Sequence, residues 1–400
     1  MFSSHDQKQH IIYSTVFFIN ATNKNDPEID RLNSKVVEIA MQQSTWGQPL
    51  PMAWVPLEMQ ISKMKSMKVN LVTKAKLVEI NRQNGDLTLS DTELNRYLKV
   101  QHSMGKIVYF KEPGLETFVI VQPSALVNVL RAFITDELFW PEDKELRQIH
   151  QNLSKYGKIY KQDLIKLWNQ EQFKHLLPGN DIRDYVIKVL VRIDILIEPK
   201  RHGKSEVDVY LVPSMVTTAA PASLLDESTL VERAICLSYQ LVKSTVPAAL
   251  SFKLIGAALS IWPLKEGEGG RPCLFFKSAV LSIDDSNDLI IDIREQRVEV
   301  YLVNAVSRAN ISPDIAASTQ ECLTLSLRNA LDFYHNCMGK EIKYVDMEKL
   351  YRIEVGEICQ KGVCHLDLNH AEKKSSWRCE RGRTHYTKHV MFWVFDKVHY

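Results

Sequence analysis

Apolar positions along the chain follow two alternating periods, one typical of strands and the other of helices. A β-branched and aromatic run at residues 13–20 predicts a buried strand. From Glu28 onward the apolar residues fall at helical spacing, and Asp26-Pro27 before them is a helix start signal. The N-terminus therefore predicts one strand and one helix. A single βα unit cannot form a parallel α/β domain, so we expect this unit to pack on something else.

The middle of the chain alternates short apolar strands with helices. Two apolar strands separated by a turn lead into a helix that begins at Pro123. A helical hairpin follows, and its second helix is expected to begin after Ile159. Two more strands, at 193–198 and 207–212, are joined by the charged loop 199–206. This order predicts a winged-helix module with the charged loop as its wing.

The second half of the chain begins after a shift to small residues at 217–223, which marks a predicted domain boundary. Residues 289–293 and 298–302 alternate apolar and polar side chains, which predicts a hairpin with one buried face. Ser312 and Pro313 then open a long helix. The pattern predicts an antiparallel sheet carrying at least two helices, so we expect an α+β chain.

Composition narrows the class of protein. A length of 400 residues indicates two or three domains. The net charge of +2 gives no strong field for nucleic acid or an anionic membrane. Seven scattered cysteines suit a reducing compartment. The first residues are polar, with no basic stretch leading into an apolar one, and the apolar runs are shorter than the ~20 residues of a membrane span. We therefore expect a cytoplasmic protein.

Two short motifs resemble nucleotide-binding sequences. Gly203-Lys204-Ser205 matches the end of a phosphate loop, but the glycine required five residues earlier is Glu198. Residues 23–26 match a guanine-reading pattern, yet no phosphate loop precedes them. A polar hairpin tip and a solvated loop are the favoured interpretations. The sequence also lacks kinase motifs, a nucleophile elbow and a dinucleotide fingerprint, so we expect no enzymatic activity from this chain.

Cysteine and histidine residues are densest near the C-terminus. Cys359 and Cys364 are separated by four residues, and Cys379 and His385 form a second candidate pair. Four such soft or borderline ligands could hold a structural zinc ion. The spacing is loose, so unliganded thiols are the favoured interpretation and structural zinc is the alternative. A catalytic zinc is disfavoured because the sequence contains no His-Glu-x-x-His motif.

The region from about Glu93 to the end resembles a COR domain, the segment that follows the Roc GTPase in Roco proteins. The resemblance rests on the order and spacing of motifs at residues 101–110, 119–123, 157–159, 210–215 and 246–255. The N-terminal unit is similar to the last strand and helix of Roc, without its phosphate loop, switch regions or base-reading motif. The resemblance implies three parts. Residues 1–58 would be a Roc remnant, residues 59–216 a COR-A lobe with the winged helix, and residues 217–400 a COR-B lobe with the antiparallel sheet and helices.

In function, the resemblance implies a non-catalytic regulatory and dimerisation module. It would couple a Roc GTPase, in cis or in trans, to self-association and downstream signalling, with a homodimer formed through COR-B. GTP and Mg²⁺ would belong to a longer parent protein, which could carry GTPase or kinase activity. The position of the final guanine-contacting loop falls on Asn20, Ala21 and Thr22. The residues expected to make interface contacts are Tyr210, Phe252, Leu254 and Ile255.

Two other functions stay open at this level. A winged-helix nucleic-acid binder would use a basic wing, and the loop does contain Lys200, Arg201, His202 and Lys204. The near-zero net charge argues against it. A zinc-dependent protein using the C-terminal cysteines and histidine is the second alternative.

Overall fold

Helices and antiparallel strands alternate along the chain, as the α+β prediction expects. The computed structural model describes residues 15–43, 46–47, 49–200, 208–242, 245–267, 269–336, 350–359, 362–380 and 382–397. Among these, no helix combines the length and the apolar character needed to cross a membrane. The chain forms two units, Met1–Met67 with Lys76–Tyr97, and Lys68–Ala75 with Leu98–Tyr400. The predicted boundary at residue 217 lies inside the second unit.

The helices are α1 (Pro27–Met41), α2 (Val55–Ser66), α3 (Lys74–Arg82), α4 (Asp91–Ser103), α5 (Pro123–Leu130), α6 (Lys144–Tyr156), α7 (Lys161–Trp168), α8 (Asn180–Arg192), α9 (Glu227–Leu230), α10 (Ala248–Ile261), α11 (Pro313–Asn336), α12 (Leu368–Ala371) and α13 (Thr387–Val390). The strands are β1 (Leu71–Thr73), β2 (Phe118–Ile120), β3 (Lys158–Tyr160), β4 (Val209–Leu211), β5 (Ala234–Leu241), β6 (Glu266–Gly267), β7 (Arg271–Pro272), β8 (Leu274–Phe275), β9 (Ser278–Ser282), β10 (Asn287–Arg294), β11 (Arg297–Asn304), β12 (Tyr351–Cys359), β13 (Gly362–Asp367), β14 (Ser376–Arg378) and β15 (Thr384–Tyr386).

The N-terminal helix is confirmed, whereas the strand before it is not. The Asp26 carboxylate caps α1 by accepting the Glu28 N–H at 2.9 Å. The described part of the predicted strand, residues 15–20, has no strand structure, and Phe18 is 83% exposed. A strand needs a hydrogen-bonded neighbour, and none of the described strands pairs with this segment. The apolar run alone therefore gave the wrong prediction of a buried strand.

The first unit has a small core of its own around α2 and the first turns of α4. Trp54 and Tyr97 meet edge to face, with ring centroids 5.4 Å apart. Asn81 is buried, and its amide both donates to the Leu89 carbonyl and accepts from the Leu89 N–H, at 2.7 and 3.0 Å. Both polar atoms of this side chain are thus satisfied in the core.

Helices α5, α7 and α8 form where the sequence predicts helices, but one predicted strand is nearly absent. Of residues 193–198, only Ile197 pairs, through a single antiparallel bridge with Leu211. The N–H groups of Ile195 and Leu196 both donate to the Leu190 carbonyl in the last turn of α8. These donors are consequently not available for a strand ladder. Most of the predicted wing loop lies outside the described residues.

The second half is built on a seven-stranded antiparallel sheet with the order β13-β12-β5-β11-β10-β9-β8. Helices α10 and α11 supply apolar residues to the core on one face of this sheet. The β10–β11 hairpin is confirmed in register, with Leu289 opposite Leu302. The prediction of a single buried face is wrong, because Ile290 and Tyr301 are buried on the other face in a second cluster that includes Leu230.

His150 on α6 gives the fold a pH-dependent contribution to stability. It is 1% exposed and stacks on Trp140, and its Nδ1 has no hydrogen-bond partner among the described residues. Burial lowers the pKa of His150 from 6.5 to about 4. The unfolded chain therefore binds a proton at a higher pH than the folded chain. The stabilisation by neutral His150 is complete above the pKa that His150 has in the unfolded chain, and it is lost as the pH falls from 6.5 toward 4.

We expect the free energy of unfolding to fall by about 2 kcal/mol more in the wild type than in His150→Gln when the pH drops from 7 to 5. The reason is that the neutral glutamine side chain removes the proton uptake by the unfolded state. Urea unfolding at both pH values, followed by circular dichroism, measures this difference. The same pH dependence in both proteins would show that His150 is not the group responsible.

Candidate metal centre

Two β-hairpins near the C-terminus carry the three cysteines and the histidine that the sequence suggested as metal ligands. In the β12–β13 hairpin, Cys359 pairs with Gly362, and Cys364 lies opposite Glu357. Because side chains two residues apart on a strand share a face, Cys359, Glu357 and Cys364 all lie on the same face of this hairpin. The first hairpin thus presents two sulfur atoms and one carboxylate together.

The second hairpin supplies the other two candidate ligands. Cys379 directly follows β14, and its carbonyl accepts the Gly382 N–H at 2.8 Å in the turn. His385 lies in β15 opposite Trp377, and the two rings stack with centroids 4.9 Å apart. One ligand atom from each of Cys359, Cys364, Cys379 and His385 lies within 4.8 Å of all the others. The fold therefore brings together all four residues named from sequence.

A carboxylate orients the histidine. His385 is 2% exposed, and its Nδ1 lies 3.1 Å from Glu357 Oε2. The other oxygen of Glu357 lies 3.1 Å from Arg308 Nη1, which compensates the buried charge. Since the carboxylate accepts a hydrogen bond from Nδ1–H, the second ring nitrogen is the one that carries a free lone pair. Nε2 has no hydrogen-bond partner among the described residues.

The thiols interact with one another. Burial and the hydrogen bonds with Cys379 and Cys359 raise the pKa of the Cys364 thiol to about 12. Three sulfur atoms and one imidazole nitrogen form a donor set that is typical of structural zinc sites. Glu357 was not identified from the sequence. The signal was its position two residues before Cys359 on the same strand, which places both side chains on one face.

The loop predicted to correspond to a guanine-contacting segment is exposed and internally bonded. The Asn20 side-chain oxygen accepts from the Thr22 hydroxyl at 2.7 Å, and the Asn20 N–H donates to Asp26 at 2.7 Å. Ala21 between them is also exposed. These bonds close a turn ahead of α1.

The predicted interface residues separate into two groups. Leu254 and Ile255 are each 1% exposed and pack in the main core, because α10 buries that side against the sheet. These two residues are therefore core residues rather than surface contacts. Tyr210 is 7% exposed and lines a cleft of about 470 Å³ together with Lys161 and Asp184. Phe252 is half-buried and contacts Phe276 edge to face, with centroids 6.4 Å apart.

Comparison with known proteins finds a match to a protein family in the middle of the chain. Residues 51–216 match the family model described as C-terminal of Roc, COR-A domain. The chain is also 26% identical over 198 residues to a Dictyostelium discoideum protein named probable serine/threonine-protein kinase pats1. That alignment covers 48% of this chain and 6% of the relative, so the chain spans only a small part of the relative's length.

Among solved structures, the chain is similar to the structure of Methanosarcina barkeri Roco2 RocCORdC bound to GDP, with 15% sequence identity and a TM-score of 0.32. The similarity covers 48% of this chain and 52% of that one. The family match identifies residues 51–216 as a COR-A domain.

Proposed function

We propose that the chain is the regulatory and dimerisation module of a Roco-type protein, coupling a Roc GTPase domain to self-association and downstream signalling. The match of residues 51–216 to the COR-A family carries this proposal. On this proposal the chain contributes no chemistry of its own. GTP and Mg²⁺ bind to the GTPase domain, and this chain responds to the nucleotide state of that domain.

Helix α1 supports an association with a GTPase domain. None of its residues is buried, and Val36, Val37 and Met41 are each at least half exposed. The segment before it also exposes Phe18. A helix with exposed apolar side chains beside an unpaired apolar segment forms a surface that an α/β domain could cover. We propose that a Roc-type domain, in cis or in trans, covers these side chains.

Helices α5 to α8 with β3 and β4 form the proposed winged helix, and its charges favour protein over nucleic acid. Lys161 forms an ion pair with Asp184 at 3.0 Å. Lys166 contacts Glu145 at 2.6 Å. A phosphate-binding helix needs cations that are not already neutralised by neighbouring carboxylates. We therefore propose that this module docks protein, and that the nucleic-acid alternative is the weaker one.

The proposed dimer contact in the COR-B lobe is the aromatic pair of Phe252 and Phe276. Phe276 is 48% exposed, and its ring is edge to face with Phe252 on α10. Exposed aromatic pairs of this kind are frequent anchors in protein interfaces. A second copy of the chain is the occupant we propose, since COR-B is the lobe to which the family resemblance assigns self-association.

We expect Phe276→Glu to raise the dissociation constant of the dimer at least about 10-fold, because the change would bury a charge against an apolar partner. Sedimentation equilibrium measures this constant. Val306→Glu is the matched control, since Val306 is an apolar residue of the same lobe and 73% exposed. Equal dissociation constants for both variants and the wild type would remove Phe276 from the interface.

A further inference from the structure

We propose that Cys359, Cys364, Cys379 and His385 together bind one structural Zn²⁺ ion, which joins the β12–β13 hairpin to the β14–β15 hairpin. This site assigns a specific ligand set to a cluster that neither the family match nor the proposed function explains.

The distances fit a tetrahedral ion after small side-chain rotations. Zinc–sulfur bonds of ~2.3 Å place the ligands of a tetrahedron about 3.8 Å apart. The four ligand atoms lie within 4.8 Å of one another without any ion to draw them together. A contraction of about 1 Å is within reach of χ1 rotation of cysteine, and requires no movement of either hairpin.

The orientation of His385 is the independent observation that points to a ligand. Its Nδ1 is held by Glu357 at 3.1 Å, and Nε2 lacks a hydrogen-bond partner among the described residues although the side chain is 98% buried. Histidine ligands of zinc almost always donate their other ring N–H to a carboxylate or carbonyl, which fixes the tautomer. The Glu357–His385 pair has this arrangement, and a ring nitrogen of His385 lies within 4.8 Å of the three sulfur atoms.

A disulfide explains the cluster less well. It would use two of the three sulfur atoms, and would leave the third thiol and Nε2 of His385 without a function. A site of four protein ligands is also closed, which is the feature of structural rather than catalytic zinc. With three thiolates the zinc centre carries one net negative charge, and Arg378 and Arg383 flank Cys379 in sequence. We therefore infer a structural role.

The first test measures zinc in the full-length chain purified under reducing conditions without chelators. Inductively coupled plasma mass spectrometry should find about one zinc per chain.

Cys379→Ser should lose at least about 10-fold in zinc affinity, measured by competition with a chromophoric chelator. Cys322→Ser should keep the zinc affinity of the wild type, because Cys322 lies on α11. Cys322 is a matched control, since it is partly buried like Cys379. Glu357→Gln should weaken binding about 10- to 100-fold as a positioning residue.

The second test uses the wild type alone and so does not depend on a variant that folds. Replacement of zinc by Co²⁺ should give the visible absorption of a tetrahedral cobalt ion with thiolate charge-transfer bands. X-ray absorption at the zinc edge should report three sulfur neighbours and one nitrogen. A reduced chain that takes up no zinc from a micromolar solution of Zn²⁺ would overturn the proposal.

Thiol titration separates zinc from a disulfide. The sequence contains seven cysteines, so the zinc form, denatured with a chelator and no reductant, should react at all seven thiols. A disulfide in the cluster would leave five reactive thiols and would overturn the proposal. Zinc retained equally by Cys379→Ser and the wild type would place the ion elsewhere, and would also overturn it.

Discussion

Replacing Trp168 with alanine should lower the free energy of unfolding by about 3–5 kcal/mol. Trp168 is fully buried at the end of α7, and its indole N–H donates to the Val129 carbonyl of α5 at 3.2 Å. The substitution removes this hydrogen bond and leaves a cavity between these helices, because the surrounding core can relax only in part. Guanidinium unfolding followed by far-ultraviolet circular dichroism measures the loss.

The matched control is Trp46→Ala. Trp46 is 58% exposed, so the same chemical change should alter the free energy of unfolding by no more than about 0.5 kcal/mol. A Trp168→Ala loss as small as that of Trp46→Ala would mean that α5 and α7 do not pack through this side chain. The arrangement proposed for the winged helix would then be incorrect.

Gly157→Ala is expected to lower the free energy of unfolding by roughly 2–5 kcal/mol. Gly157 ends α6 with φ +66°, a left-handed conformation that favours glycine. A Cβ atom there would lie 2.6 Å from Val216 Cγ2 and 2.9 Å from Leu274 Cδ2. The substitution therefore combines backbone strain with a steric clash in the core. Thermal unfolding by calorimetry, together with urea titration, measures the effect.

Gly105→Ala separates the cost of backbone strain from the cost of the steric clash. Gly105 has a nearly equal φ of +68°, and a Cβ added to it would meet no atom within 4 Å. We expect this variant to lose only the backbone cost of about 1–2 kcal/mol. If the two variants lose equal stability, the contact of Gly157 with Val216 and Leu274 is not tight.

Elements with local signals were predictable from sequence. Asp26 and Pro27 fix the start of α1, Pro123 begins α5, and the alternation in β10 and β11 sets the register of that hairpin. Elements that depend on a distant partner were not. The run at 13–20 reads as a strand but pairs with no described neighbour. The backbone donors of 195–196 are taken by the last turn of α8, which the apolar pattern does not show.

The candidate site shows the same division. The Cys359–Cys364 spacing suggested two candidate ligands in one hairpin, since a short separation confines both to adjacent strands. Their proximity to Cys379 and His385 depends on how the second hairpin packs, and no local pattern encodes it. The role of Glu357 required the structure as well, because a carboxylate on a sheet face is usually solvated. For Leu254 and Ile255, a helical apolar pattern could not distinguish core from interface.

We propose that this chain self-associates as a COR module. Sedimentation equilibrium of the wild-type chain, from about 1 to 100 μM, tests it most directly. We expect a reversible monomer–dimer equilibrium that Phe276→Glu shifts toward monomer and Val306→Glu leaves unchanged. A single species with the mass of the monomer, 46.0 kDa, across the whole range would contradict it.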